Sequence, residues 1–454
     1  MIGALASTLI GNPLGRRRAL VTFAVIAAIG TILQASSFTL AQLIVGRIIS
    51  GIGVGGVNAV VPVWQAECSK PKHRGKNVVV IGIFIASGIA LASWVNFGLS
   101  FYQQSSVCWR LPLAFPLIFC GLICSSVFLF PESPRWLAQR GKLEEAKSVL
   151  SVLEDVDINS EHINIELQCL QEAYNRQASR ERGFLDLFKT GRERLLYRTC
   201  LSILINFCAQ MTGKKYLGTL VCSVLIRTGA NVITYYGSTI FRQSLGFGPH
   251  QASVLAAGLL TWKILAASLA YYFVDRAGRK PLFMISGFGM GLSMICLAIT
   301  VSQIKHSGAG AAATFFLFMF MFFFPLGFLG ANFLYGAEIA PQELRIHLSA
   351  IGTSSHWLFN FVIAEVTPIA FTNIGYKYYI VYACTGIAVV PMVYFLFPET
   401  NGRSLEEMDK VFSKPEKWWQ VTSSAKRLPR SVLADIEDLE EKGVEITHLE
   451  KDRD

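Results

Sequence analysis

Two glutamates are each followed seven residues later by an arginine: Glu67 by Arg74 in WQAECSKPKHRG, and Glu338 by Arg345 in YGAEIAPQELR. Each motif closes an apolar run. Carboxylate and guanidinium groups therefore come to lie at helix ends, partly withdrawn from water, where each stabilises the other. Two further motifs recur in the same order: GRRR at 15–18 is answered by DRAGRK at 275–280, and PESPRW at 131–136 by PETNGRS at 398–404. A single Glu of this kind is as readily a solvated loop charge. Three pairs in parallel order, roughly 60 residues apart per step, mark an internal duplication. The chemistry these groups suit is reversible ion pairing. The expected latch consists of Arg17, Arg47, Glu67, Arg74, Glu132, Arg135, Asp275, Arg279, Glu338, Arg345 and Glu399. Arg47 is included because an arginine within an apolar span costs at least ~2.5 kcal/mol unless it snorkels to the polar face. No nucleophile with a base, no metal-ligand cluster and no nucleotide-binding loop is visible, so the chain reads as no enzyme and implies no cofactor.

The elements that must position these groups follow from composition. The 454 residues are 52% hydrophobic and only 16% charged, with a mean hydropathy of +0.44. That is too little charge for a water-soluble surface. Crossing bilayer hydrocarbon takes about 20 apolar residues, and the apolar runs here are of that length. Spans are expected at 1–11 (incomplete), 19–37, 40–64, 78–99, 110–130, 197–241 (interrupted), 251–273, 281–301, 312–337, 350–372 and 376–397, which makes eleven. The net charge of +10 could suggest nucleic acid. The basic residues instead crowd into short loops beside spans, as the positive-inside rule requires of cytoplasmic flanks. Arg16, Arg17, Arg18, Lys70, Lys72, Arg74, Lys76, Arg276, Arg279 and Lys280 mark one side, and the alternate loops carry almost none. The middle segment and C-terminal tail are accordingly assigned to the cytoplasm.

Between the halves, residues 141–194 are charged and rich in helix formers, with apolar positions at helical spacing over 142–156. Short helices capping the inner face are expected there. The polar tail after Phe412 is expected to be loosely ordered. The ten cysteines are scattered, mostly within spans, and read as small core residues. No cleavable signal peptide is visible.

GRIISGIGVGG, PESPRWL, DRAGRKPL, YGAEIAP and PETNGRSLEEMDKVF resemble the signature blocks of the sugar porter branch of the major facilitator superfamily, in particular its fungal members. They cover almost the whole chain. The resemblance implies an all-α membrane protein with two helical bundles around a central cavity and a cytoplasmic helical linker. Its divisions are an N-terminal bundle over 1–130, the linker over 131–196, a C-terminal bundle over 197–397 and a tail over 398–454. It also implies a sugar as substrate, moved by alternating access with or without a proton. A sugar needs donors and acceptors without charge. Matching positions to the family's sugar contacts are Gln210, Asn231 and Asn360, with Tyr235 and Tyr236 following Asn231, and Phe333 where the family often carries a Trp. Asn332, His356 and Glu365 also lie within spans. The glycines of the third span, at 46, 51, 53, 55 and 56, have their own explanation in close helix packing.

Three features depart from the family pattern. The opening helix is missing, and with it the acidic residue that proton-coupled members carry there; the first span here corresponds to the family's second. Asn12 stands where the first loop motif normally has Asp, whereas Asp275 is kept in the second, which makes the first latch the weaker. Finally, QMTG and ANVITYY are separated by residues 214–229, whose removal restores the seventh-helix motif in frame. The separating stretch brings Lys214, Lys215 and Arg227 into a span and is read as translated intron, since codons for Gly-Lys-Lys can contain a splice donor and those for Thr-Gly an acceptor; a real insertion that bulges out of the helix is the alternative. The expected protein is a monomeric, multi-pass transporter of a monosaccharide, in contact with lipid and without nucleic acid, in the plasma membrane. A non-transporting sugar sensor and a non-functional product of a defective gene remain alternatives.

Overall fold

The computed structural model describes residues 1–69, 74–102, 105–178, 183–191, 193–210, 230–304, 306, 308–341, 343–403, 405–415 and 417–427. The proposed insertion at 214–229 and the far tail lie outside the described residues, as do the side chains of Arg74, Asn231 and Tyr235. Every regular element among the described residues is a helix.

In the first half, α1 (Ile2–Leu14), α2 (Arg16–Ala35), α3 (Leu40–Glu67) and α4 (Arg74–Leu99) run back and forth, followed by α5 (Val107–Ala114) and α6 (Pro116–Ser126), which together make one bent span. Gly15, at φ 84°, separates α1 from α2; Gly278, at φ 89°, does the same between two helices of the second half. A side chain is strained in that left-handed region, so glycine sets both helix starts. At the opposite end, the Thr39 hydroxyl caps α3 by accepting the Gln42 backbone N–H at 3.3 Å.

The small residues of α3 bring it against α2 at backbone distance. A Cβ on Gly53 would come within 2.4 Å of Ala27, and one on Gly30 of α2 within 2.2 Å of Ser50. In lipid such contact replaces the hydrophobic drive that water supplies to soluble helices. Gly46 is packed on α2 in the same way, Gly55 lies against Gly3 and Ala4 of α1, Gly56 receives the Phe23 ring, and Gly51 faces open space.

A bridge of α7 (Pro134–Gln139), α8 (Leu143–Glu154) and α9 (Glu161–Ala178) follows. Its own small core comprises Leu137, Ala138, Ala146, Leu150, Ile163 and Leu170. The Ser133 hydroxyl caps α7 at the Trp136 N–H.

The second half contains α10 (Leu195–Gln210), α11 (Ala230–Thr239), α12 (Pro249–Ala277), α13 (Arg279–Ser302), α14 (Ala309–Phe328), α15 (Ala331–Glu338), α16 (Arg345–Ile374) and α17 (Lys377–Leu396). One apolar run makes both α14 and α15, broken at Leu329 and Gly330, where φ is 96°. Among the described residues, nine helical stretches are long and apolar enough to cross a membrane, and α1 and α10 are shorter apolar helices. The halves meet along two seams, α4 against α12, and α1 and α3 against α16.

The tail differs from expectation over its first part. After α18 (Leu405–Ser413), α19 (Val421–Arg427) is helical and tucked in, with Val421 and Ala425 buried. Apolar residues at positions 421 and 425 share one helix face, which mean polarity hides.

Candidate functional site

At the end of the bundle where the motifs lie, two charge clusters repeat one design. In the first, Arg16 grips Glu67 with two bonds, Nε to Oε2 at 2.8 Å and NH2 to Oε1 at 3.0 Å, both side chains 1% exposed. Glu132 accepts the backbone N–H groups of Arg16 (3.0 Å) and Arg17 (3.2 Å), a carboxylate at the start of α2 where the helix dipole favours it. Arg135 donates to the Glu67 carbonyl at 2.8 Å.

In the second cluster, Arg279 donates to Glu338 (2.9 Å), Asp275 (2.9 Å) and Asn401 (2.6 Å). Glu399 accepts the N–H groups of Arg279 and Lys280, both at 3.0 Å, at the start of α13. Thr400 completes the site by donating to Glu338 at 2.6 Å.

The clusters are tied across the halves. Arg345 of α16 lies 3.4 Å from Glu67 of α3, both almost fully buried. Asp275 accepts the Lys76 N–H of α4 at 2.9 Å, and Ser349 donates to the Ala59 carbonyl at 3.1 Å. Charges buried this deeply persist because each has a partner with good geometry.

Two expected members of this latch stand elsewhere. Arg17 gives its guanidinium to the Phe128 carbonyl and lies over the Phe128 ring, and the Glu67 partner is its neighbour Arg16. The duplication already held this signal: Arg279 is the first residue after Gly278, as Arg16 is after Gly15. Arg47 is exposed and sits twenty residues before Glu67 on the same helix, about 30 Å away at 1.5 Å per residue. Because α2 starts at the charged end and α3 returns to it, early α3 belongs to the far end. The side chain of Arg74 lies outside the described residues.

Deeper in the second half, Gln210 on α10 is buried with its amide nitrogen 2.7 Å from His356 Nε2 of α16. Phe333, just after the α14–α15 break, lies 5.0 Å from the His356 ring, centroid to centroid. Asn360 is buried one turn beyond His356 on α16. Tyr236 of α11 donates to the Ala364 carbonyl at 2.9 Å, which ties α11 to α16. Gln210, Phe333 and Asn360 are thereby gathered around His356; Asn231 and Tyr235 belong to α11, with side chains outside the described residues.

Asn332 donates to Asn206 at 3.0 Å in a separate buried pair. Glu365 is exposed, nine residues from His356 and so about 180° round the helix. The free thiols, among them Cys120 and Cys208 within spans, make no disulfide among the described residues. No His, Cys, Asp and Glu cluster among those residues could hold a metal.

Lys263 was not anticipated. It is 2% exposed at the middle of α12, with its ammonium 5.1 Å from the centre of the Phe324 ring. As the one Asp, Glu, Lys or Arg between residues 250 and 274, it was visible in the sequence.

An arrangement of two duplicated helical halves, clamped at one end by buried ion pairs around a polar middle, defines a membrane carrier. Residues 1–412 match the family model described as sugar (and other) transporter. The MFS-type transporter oryC of Aspergillus oryzae is 36% identical over 416 residues, 90% of this chain and 74% of that protein. The sugar transporter STL1 of Saccharomyces cerevisiae is 32% identical, over 96% of this chain and 74% of that protein. Among solved structures, the proton:xylose symporter XylE of E. coli bound to 6-bromo-6-deoxy-D-glucose superimposes with a TM-score of 0.74 at 25% identity, covering 90% and 88% of the two chains. The same symporter in an inward-open conformation gives only 0.59. The chain belongs to the sugar transporter family of the major facilitator superfamily. It is a multi-pass membrane protein with that fold, and a transporter rather than an enzyme.

Proposed function

We propose that this chain carries a sugar-class solute, a monosaccharide in the first instance, by alternating access. The halves 1–130 and 197–397 rock about a site formed by Gln210, Asn231, Asn360, Phe333, Tyr235 and Tyr236, to which His356 is added here. The observation that carries the reading is the buried Arg345–Glu67 pair across the halves. It closes one end of the molecule with groups that ion pairing can hold and water can release. Amide groups such as Gln210 offer both donors and acceptors to sugar hydroxyls, and the Phe333 face suits the C–H side of a pyranose. The names of the yeast relative and of the bacterial symporter support a sugar, and the latter also supports proton coupling.

The latch end, the 131–196 bridge and the C-terminal tail are assigned to the cytoplasm of a plasma-membrane monomer, on the strength of the basic loops at 16–18 and 276–280. Residues 214–229 are assigned to retained intron; sequencing the mature transcript tests this, and messages that keep the segment refute it.

The decisive experiment is uptake of labelled hexose into proteoliposomes, with and without an imposed proton gradient. Gln210→Ala and Asn360→Ala are expected to raise the half-saturating concentration about tenfold or more, the loss of a buried hydrogen-bonding group. Uptake indistinguishable from empty liposomes would refute transport.

A further inference from the structure

Lys263 is a charge that neither the latch nor the Gln210 cluster uses. Fourteen residues of α12 separate it from each end of that helix, about 21 Å of rise. A four-carbon stem cannot snorkel that far. Nor does the side chain face lipid, since it is 2% exposed and shares its helix with the buried Leu259, Leu260, Ala266 and Ala267. Among the described residues, its ammonium has the Phe324 ring as a neighbour and no carboxylate in ion-pairing range. One cation–π contact offsets only part of what burying an ammonium at this depth costs.

Its helix adjoins α11 and α14, the neighbours of the helices that carry the Gln210 cluster. Phe324 lies one turn before the end of α14, where the span breaks ahead of Asn332 and Phe333. On the other side, α11 packs between α12 and α16, the helix of His356 and Asn360. Interrupted spans near the bilayer midplane are where carriers of this architecture hold their cargo.

The geometry points to Lys263 as a substrate contact that takes a carboxylate, so that the preferred cargo is a hydroxylated acid of the aldonic or uronic type. A neutral sugar leaves the ammonium without an anion; a sugar acid supplies one and offers its hydroxyls to Gln210, His356 and Asn360. This rests on the transport reading above and names its substrate class.

The test uses the full chain in proteoliposomes, with labelled D-glucose uptake competed by unlabelled D-glucose, D-gluconate or D-glucuronate. The better of the two acids is expected to compete at a concentration at least ~10-fold lower than glucose. Lys263→Gln is expected to abolish that preference and Lys263→Arg to retain it, each variant first checked for monodispersity in detergent. Glucose uptake without any acid preference in the unmodified protein would overturn the inference and leave the transport reading standing. A preference that survives in Lys263→Gln would also overturn it. If neither labelled D-glucose nor, in a parallel assay, labelled D-gluconate enters the liposomes, both readings fall. Should Lys263→Gln fail to fold, competition in the unmodified protein together with Lys263→Arg decides.

Discussion

The two charge clusters share a plan and differ in strength. Arg16 and Arg279 hold equivalent places after Gly15 and Gly278; Glu67 and Glu338 accept from them; Glu132 and Glu399 cap the helices they begin. Position for position, however, Asp275 corresponds to Asn12. Arg279 therefore has two carboxylates and an amide, where Arg16 has one carboxylate. Asp275 also reaches across to α4. The backbone carbonyl of Asn12 instead receives Trp136 and Arg140, both from the bridge that follows the first half. Duplication kept the scaffold of the clamp, and one side-chain change left Arg16 with a single carboxylate and the first cluster with Arg345 as its ionic tie across the seam, where the second has Asp275.

The largest expected effect breaks this asymmetry directly. Arg279→Ala leaves Glu338 and Asp275 buried without their guanidinium, and losing one partner of a buried pair costs about 3–5 kcal/mol. Arg16→Ala strands a single carboxylate that still has Arg345 nearby. Thermal unfolding in detergent should therefore show a clearly larger drop for Arg279→Ala; equal drops would mean the clusters are equivalent.

Next comes Arg345→Ala, which removes the ion pair across the halves and leaves the Asp275–Lys76 and Ser349–Ala59 bonds. Cys68 follows Glu67, and burial, with the Glu67 carboxylate second, pushes its thiol up to about 12. The reactive thiolate thus becomes abundant only as pH rises toward that value, and at neutral pH maleimide labels it slowly. Opening the clamp hydrates the thiol. Labelling at pH 7, taken as the difference from a Cys68→Ala control, should accelerate about tenfold in Arg345→Ala. An unchanged rate would show that the pair does not hold the seam.

The smallest effect is the repair. Asn12→Asp restores the missing carboxylate four residues before Arg16 and should stabilise the closed form by under ~1 kcal/mol, because position 12 is only half-buried. It should slow Cys68 labelling slightly, and faster labelling would argue against the correspondence of Asn12 with Asp275.

Much of this was legible in the residues. Runs of about 20 apolar positions specify spans because lipid leaves backbone groups no other partner. The repeated Glu, Arg and Gly positions specified which helix ends would meet. Spacing along one chain could not reveal that Glu67 pairs with Arg345 of the other half as well as with Arg16, since the partners lie 278 and 51 residues away. Arg47 misleads for a related reason: the cost of an arginine within a span requires it to reach a polar face without saying which one, and that depends on the direction in which α3 runs. The Gln210–His356 contact was hidden because a histidine within a span gives no sign of its facing helix. Lys263 stands isolated in an apolar run, but a sugar calls for neutral donors and acceptors, so the pattern that points to Gln210 and Asn360 does not point to a lysine.

Gly75 sits at the first turn of α4, where a Cβ would fall 2.0 Å from Asp275 Oδ1 and 2.7 Å from an Arg279 nitrogen. Asp275 cannot swing aside freely, since Arg279 and the Lys76 amide both hold it. One methyl group at this point is a doorstop. The tolerance of the seam is thus smaller than the smallest side chain: the two halves meet across a space that hydrogen alone can occupy.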